Sequence, residues 1–559
     1  MAGKVKLLQD EAINLTGSNS TGNYNVIAYA TNGSFVGVSP SVGQLNFTPN
    51  CYSGTYSWCP VSPQAAEIIR TPWPNFSSTG IGPQGGQNYA TPCKPAFAAV
   101  GPLGDRGGNI TFNGPASSTV DVAAKGSARW QAYVSISVAP GKAMNWEVKS
   151  TAGSDATASW LAGGNIGLGA GSTANWKTAS THAGERVFWD AGNDINTNSL
   201  TAKWENSGKG GMHWRAGNAI NAGTYSNPLV QVDWKSTSAA TDGNMRWEAK
   251  AIRVDNGQAN PLTFTQESSK GYTDWNAEDS ILVKIGKGVT FTNKSSDSNH
   301  AGRMVWLAAK GNIHTKDTTN TNTNILSFIR DHNDAGLNAW KAGRDILTDN
   351  VISFENKQQA NKSNMQSSAC HDIRTNHRVS AVDPNDAKKV TFDNKSEGHM
   401  IWHAGNDIDT RSKTEFISQQ NSKGSVTWYA GNDIHTRYGT VTPSTLTNGV
   451  NFKQEGEGRT IWQAGNDLIT HNAVHFQFTN NAKDWASLGL LAGRNIVLGG
   501  VNASEYDVNN TSVTNEFKVE TEVNDTVVLH ARTGHILTNS LVNIERSNTG
   551  AAFTKLWAG

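Results

Sequence analysis

The 559-residue chain is predicted to be all-β: an elongated array of small repeated β-hairpin units, preceded by a separate loop-rich β domain. Three observations lead there. The chain carries 56 Gly and 19 Trp, yet hydrophobic residues reach only 37%, which suits many small units better than one large core. Eleven of the 16 prolines lie between Pro40 and Pro115, and such density marks turns and short strands. From Trp130 onward a Trp-x-Ala-Gly-Asn-Asp-Ile motif recurs in fifteen copies, about 30 residues apart, and a fixed period decides the architecture before any local assignment.

Residues 1–115 are therefore expected to form an attachment or docking domain, and 116–559 the repeat array. Charge is balanced, with 47 Lys+Arg against 46 Asp+Glu, which disfavours nucleic acid and anionic membranes as partners. No stretch approaches the ~18 apolar residues of a membrane helix, and the first residues show no apolar run of signal-peptide length. The cysteines (Cys51, Cys59, Cys93, Cys370) lack any CxxC pair. A Cys51–Cys59 disulfide is one option, but free, buried thiols are the expectation for a protein made in the cytosol.

The clearest copies are Trp189 to Ile195, Trp402 to Ile408, Trp428 to Ile434 and Trp462 to Leu468. Weaker ones include Trp214 to Ile220 and Trp340 to Ile346; Ser367 and Leu490 occupy the Trp slot of two more, and Leu556 to Gly559 reads as a copy cut off at its Gly. An aromatic residue precedes each Trp slot by 10 to 15 positions, for example Phe354, Phe392, Phe416 and Phe452. Between these landmarks lie Asn, Gly and Ser, so the unit is predicted as strand, turn, strand. A two-residue period places Trp402, Ala404, Asn406, Ile408 and Thr410 on one face. The Gly-Asn pair is expected to accommodate a bulge with positive φ. An apolar face of this kind must stack on neighbouring units or on other chains.

No site for chemistry emerges. Gly80 to Gly85 fits GxGxxG, but Pro83 breaks the helix that a dinucleotide site needs. Phosphate-loop, zinc-helix and nucleophile-elbow motifs are missing. Glu455 and Glu457 lie in a turn, and the equivalent slots hold Asn394 and Ser396 elsewhere, which argues against a glycosidase pair. His403 faces away from Trp402 and is expected to be solvated or at an interface rather than a metal ligand. Asp407, Asp433 and Asp467 recur too sparsely for a calcium repeat and are expected to cap backbone donors. The chain is thus expected to be no enzyme, with no cofactor and no metal. The residues singled out are structural: Trp189, Trp214, Trp340, Trp402, Trp428 and Trp462 as core anchors, and Asn193, Asn406, Asn432 and Asn466 as amide ladders.

The Trp-His-Ala-Gly-Asn-Asp run at 402–407, with its flanking Phe-x-Asn-x-x-x-Gly-x-x-x-Trp at 392–402, resembles the motif of bacteriophage tail-fibre and baseplate-appendage proteins. That resemblance covers about residues 120–559. It implies a virion protein, a homotrimeric fibre that contacts other tail or baseplate proteins and a host receptor or glycan. The fibre motif often continues with Gly, whereas here Ile or Leu follows. Ala-Gly-Asn-Asp-Ile and Ala-Gly-Arg-Asp-Ile (342–346) are similar to haemagglutinin repeats, implying as the alternative a secreted bacterial β-solenoid adhesin of the filamentous haemagglutinin type.

Overall fold

The computed structural model describes the strands Asn14–Ser18, Tyr24–Ala30, Gly33–Phe35, Phe47–Asn50, Lys94–Phe97 and Gly108–Phe112. From residue 119 to 559 it describes the strands and the short corners within the repeat motif. All of these elements are β-strands. The GxGxxG run, Cys51, Cys59, Cys93, Glu455 and Glu457 lie outside the described residues.

The chain divides into two compact units, 1–55 with 88–309, and 56–87 with 310–559. In the second unit a repeat copy supplies three strands, such as Val390–Asn394, Met400–Ala404 and Ile408–Thr410. The next copy supplies Thr414–Ser418, Ser425–Ala430 and Ile434–Thr436. Each strand pairs in parallel with its equivalents in the adjacent copies, in register. Phe392 lies beside Phe416 and then Phe452, Trp402 beside Trp428 and then Trp462, and Ile408 beside Ile434 and then Leu468.

This corrects the hairpin expectation. Among the described strands, the first two of one copy lie in different sheets and pair only with strands of other copies. Parallel neighbours require a crossover, and a whole repeat provides it, so each copy is one coil stacked on the last. In-register stacking places each residue type on its own kind.

The first unit is built the same way. Trp160, Trp189, Trp214, Trp247, Trp275 and Trp306 occupy matching positions in successive strands. The pairing also reaches back past the expected boundary at residue 115. Asn14–Ser18 pairs with Thr119–Ala123, Tyr24–Ala30 with Gly126–Ala132, and Gly33–Phe35 with Gly108–Phe112, all in parallel. These early strands thus pair with strands at the start of the repeat array and with Gly108–Phe112. Phe47–Asn50 and Lys94–Phe97 form a small antiparallel pair.

The motif itself is not one strand. It stops at Ala404, bends through 405–407 and resumes at Ile408. Trp402, Ala404, Ile408 and Thr410 are buried, but Asn406 leaves their face and is half-buried at the corner. Two copies without the motif's Gly-Asn lose the corner: Tyr272–Ile285, of full spacing, is one unbroken strand, and so is the copy before it, which is one residue shorter. Asn244–Asn256 runs straight through as one strand, and its register against the next strand slips between Ala249 and Ala251.

Candidate functional site: stacked corners and aromatic columns

Trp189, Trp214, Trp340, Trp402, Trp428 and Trp462 are all buried. In the first unit six indoles from Trp160 to Trp306 stack with centroids 4.6–5.1 Å apart and planes within 7°. In the second, Trp402, Trp428 and Trp462 stack at 5.0 and 4.5 Å. These spacings match the ~4.8 Å between hydrogen-bonded strands, so the ladder sets the stack. A parallel column of phenylalanines faces it: Phe392, Phe416, Phe452 and Phe476 stack at 4.7–4.8 Å. Each of these rings meets a Trp edge-on, as Phe416 does Trp402 and Trp428 at 5.7 and 5.4 Å. A buried Trp hides ~150–250 Å², so at ~25 cal/mol per Å² each indole contributes several kcal/mol.

The corner explains the Gly. A Cβ on Gly431 would lie 2.0 Å from the Gly405 carbonyl oxygen, one on Gly405 2.0 Å from that of Cys370, and one on Gly465 2.0 Å from that of Gly431. The same approach holds in the first unit, where a Cβ on Gly192 would meet the Gly163 oxygen at 1.9 Å. None of these glycines has a positive φ. The expected left-handed bulge is therefore absent from these corners, and Gly is there because one coil's carbonyl occupies the space of the next coil's side chain.

Asn and Asp then tie coil to coil. Asp407 Oδ1 accepts from the Asn432 side-chain amide at 2.9 Å and the Asp433 backbone N–H at 3.1 Å. Asp433 Oδ1 accepts from Asn466 Nδ2 at 3.1 Å and the Asp467 N–H at 2.8 Å. Asn406 Nδ2 donates to Asp372 Oδ1 at 2.9 Å. In the first unit, Asn193 Nδ2 and the Asp194 N–H both donate to Asn165 Oδ1, each at 3.0 Å. The amide ladder foreseen for Asn193, Asn406, Asn432 and Asn466 thus runs mainly from Asn to Asp, within one chain. The Asp residues do cap backbone donors, but those of the following coil.

Position tunes these carboxylates oppositely. Burial pushes the Asp407 pKa up, against hydrogen bonds from Asp433 and Asn432, and the charges of Asp372 and Asp433 add to the rise. Burial also works to raise Asp433, but hydrogen bonds from His435, the Asp467 backbone and Asn466 outweigh it and hold the carboxyl below its ordinary value.

His403 is half-buried, with one side of its ring covered. Its ring packs edge-on against Tyr429 at 4.9 Å, its Nε2 is buried without a hydrogen-bond partner, and burial lowers its pKa to about 4. Cys370 is disulfide-bonded, contrary to the expectation of free thiols. In the first unit two buried acids are neutralised. Arg215 grips Asp190 with two hydrogen bonds, and Glu248 is held by His213 at 3.2 Å and by Arg246.

Asp345, His371 and Asp372 are grouped closely enough to hold a metal ion. Their oxygens are already committed. Asp345 Oδ1 accepts the Asp372 N–H, Asp372 Oδ1 accepts from Asn406 and the Asp407 N–H, and Arg344 and Arg374 pair with the remaining oxygens at 3.5 and 2.5 Å. The cluster is one step of the corner ladder. Sequence reasoning missed the glycine contacts, although the signal was present: Gly fills the fourth slot at 163, 192, 217, 405, 431, 465, 493 and 559.

No helix among the described residues is long and apolar enough to cross a membrane. No protein-family model, curated protein or solved structure matches the chain.

Proposed function

We propose that the chain is a structural, non-catalytic surface protein of the secreted β-solenoid adhesin type, acting at the bacterial exterior on a host receptor or glycan. One observation carries the reading. Consecutive copies pair in register within a single chain, Trp402 on Trp428 on Trp462, so the apolar face is closed by the chain's own next coil. An intertwined trimer would close that face between chains.

A second reading, a bacteriophage tail or baseplate appendage, rests on the Trp-x-Ala-Gly-Asn-Asp motif with its upstream Phe. Light scattering on the native protein separates the two. A mass near one chain, 59.8 kDa, supports the adhesin reading; a mass near three chains overturns it in favour of the trimeric fibre. Genes for an outer-membrane transporter or for virion proteins beside its own discriminate in the same sense.

A further inference from the structure

The tryptophan column of the second unit has one missing member. Ser367 lies in register between Trp340 on one side and Trp402 on the other. Its neighbours on the strand, Met365 and Ala369, are buried, as is Ser367 itself. Intact steps of the two indole columns place rings 4.5–5.1 Å apart, and two strand spacings amount to about 9.6 Å. Register and strand spacing thus set the Trp340 and Trp402 strands two steps apart, with a serine where the other coils carry a ring.

The opposite wall does not move in to fill it. Phe354 and Phe392 remain stacked, at 5.1 Å, and each still meets the indole on its own side edge-on, Phe354 with Trp340 at 5.4 Å and Phe392 with Trp402 at 5.5 Å. Elsewhere a Trp completes this arrangement, as Trp428 does between Phe416 and Phe452 at 5.4 and 5.7 Å. Backbone ladders on both sides of Ser367 fix the coil spacing, so the gap cannot close by approach of the strands. Ile373, from the following short strand, is buried at the same level.

We propose that the Ser367 gap is a binding slot for a flat aromatic small molecule of indole size. The bound ring would stack between Trp340 and Trp402 and present its edge to Phe354 and Phe392, restoring the contacts that a Trp makes in the other coils. An apolar cavity of this kind stays dry and takes up small aromatic molecules, and stacked and edge-on rings add attraction beyond buried area. Apart from the Ser367 hydroxyl and the indole N–H groups of Trp340 and Trp402, the named walls are apolar and none is charged, so shape and aromaticity select the ligand rather than charge.

Indole is the probe. Titration calorimetry on the full chain, after equilibration long enough for local opening to admit a buried ligand, is expected to show one saturable site. Ser367→Ala keeps the slot and is expected to bind indole within a few-fold of the natural chain. Ser367→Trp fills it and is expected to lose binding at least tenfold and to melt higher without ligand. Should the Trp variant not fold, Ser367→Leu serves instead, since Leu490 and Leu529 already occupy this slot in other coils, and it too is expected to weaken binding. No saturable binding to the natural chain, or equal binding by the filled and unfilled variants, would overturn the proposal.

Discussion

Gly431→Ala is expected to be among the most damaging single-methyl changes in the chain. The new Cβ would sit 2.0 Å from the Gly405 carbonyl oxygen, whereas ordinary contact begins at 3.4 Å. Relief requires the two corners to part by roughly 1.4 Å, the difference between these distances. That motion breaks the bonds that hold them: Gly431 N–H to Ala404 O at 3.0 Å, Asn432 N–H to Asn406 O at 2.9 Å, and both bonds to Asp407 Oδ1. Four hydrogen bonds at ~1 kcal/mol each give a cost of about 4 kcal/mol. Gly489→Ala is the control, because a Cβ there meets nothing within 4 Å and its φ is not positive. The same change at 489 should stabilise by roughly 0.5–1 kcal/mol through the unfolded chain. Stacked coils can open locally, so the assay is hydrogen exchange of residues 425–436 together with the denaturant midpoint. If the two variants proved equally stable, the account of the corner as a carbonyl-to-glycine contact would be refuted.

Trp428→Ala removes an indole stacked on two others and should cost about 3–5 kcal/mol as a large-to-small core change; near-natural melting would contradict the columnar core. Asp433→Ala strands the Asn466 amide and the Asp467 N–H, an expected loss of about 2–3 kcal/mol in urea. Asp433→Asn keeps the acceptor, as Asn165 does for Asn193, and should cost less than half as much. Burial lowers the His403 pKa from 6.5 to about 4, so the folded state favours the neutral ring. Its stability is intact above pH 6.5 and falls as pH drops toward 4, by about 3 kcal/mol in all at ~1.4 kcal/mol per pH unit. Urea midpoints at pH 7.5 and 4.5 should differ less in His403→Gln than in the natural chain.

What the sequence determined was the repeat and its chemistry. The Trp slot, the upstream Phe and the Ala-Gly-Asn-Asp-Ile run define a period, and β-branched and glycine-rich copies exclude helix, so the all-β class follows from residues alone. Strand direction did not follow, because a strand–turn–strand unit has the same alternation whether its strands pair with each other or with the next copy; only long-range backbone pairing distinguishes them. Nor was the corner legible. A two-residue period carries straight through Asn406, yet the chain bends there because a glycine without Cβ lets a carbonyl of the preceding coil approach closely, and because Asp372 in that coil receives the corner's donors, the Asn406 side-chain amide and the Asp407 N–H. His403 likewise reads as an outward residue by alternation and is half-buried against Tyr429, whose place beside it is set by register. Each contact of this kind spans 25 or more residues of sequence but one strand spacing in space. The stacking of coil on coil decided them, and no single repeat contains that information.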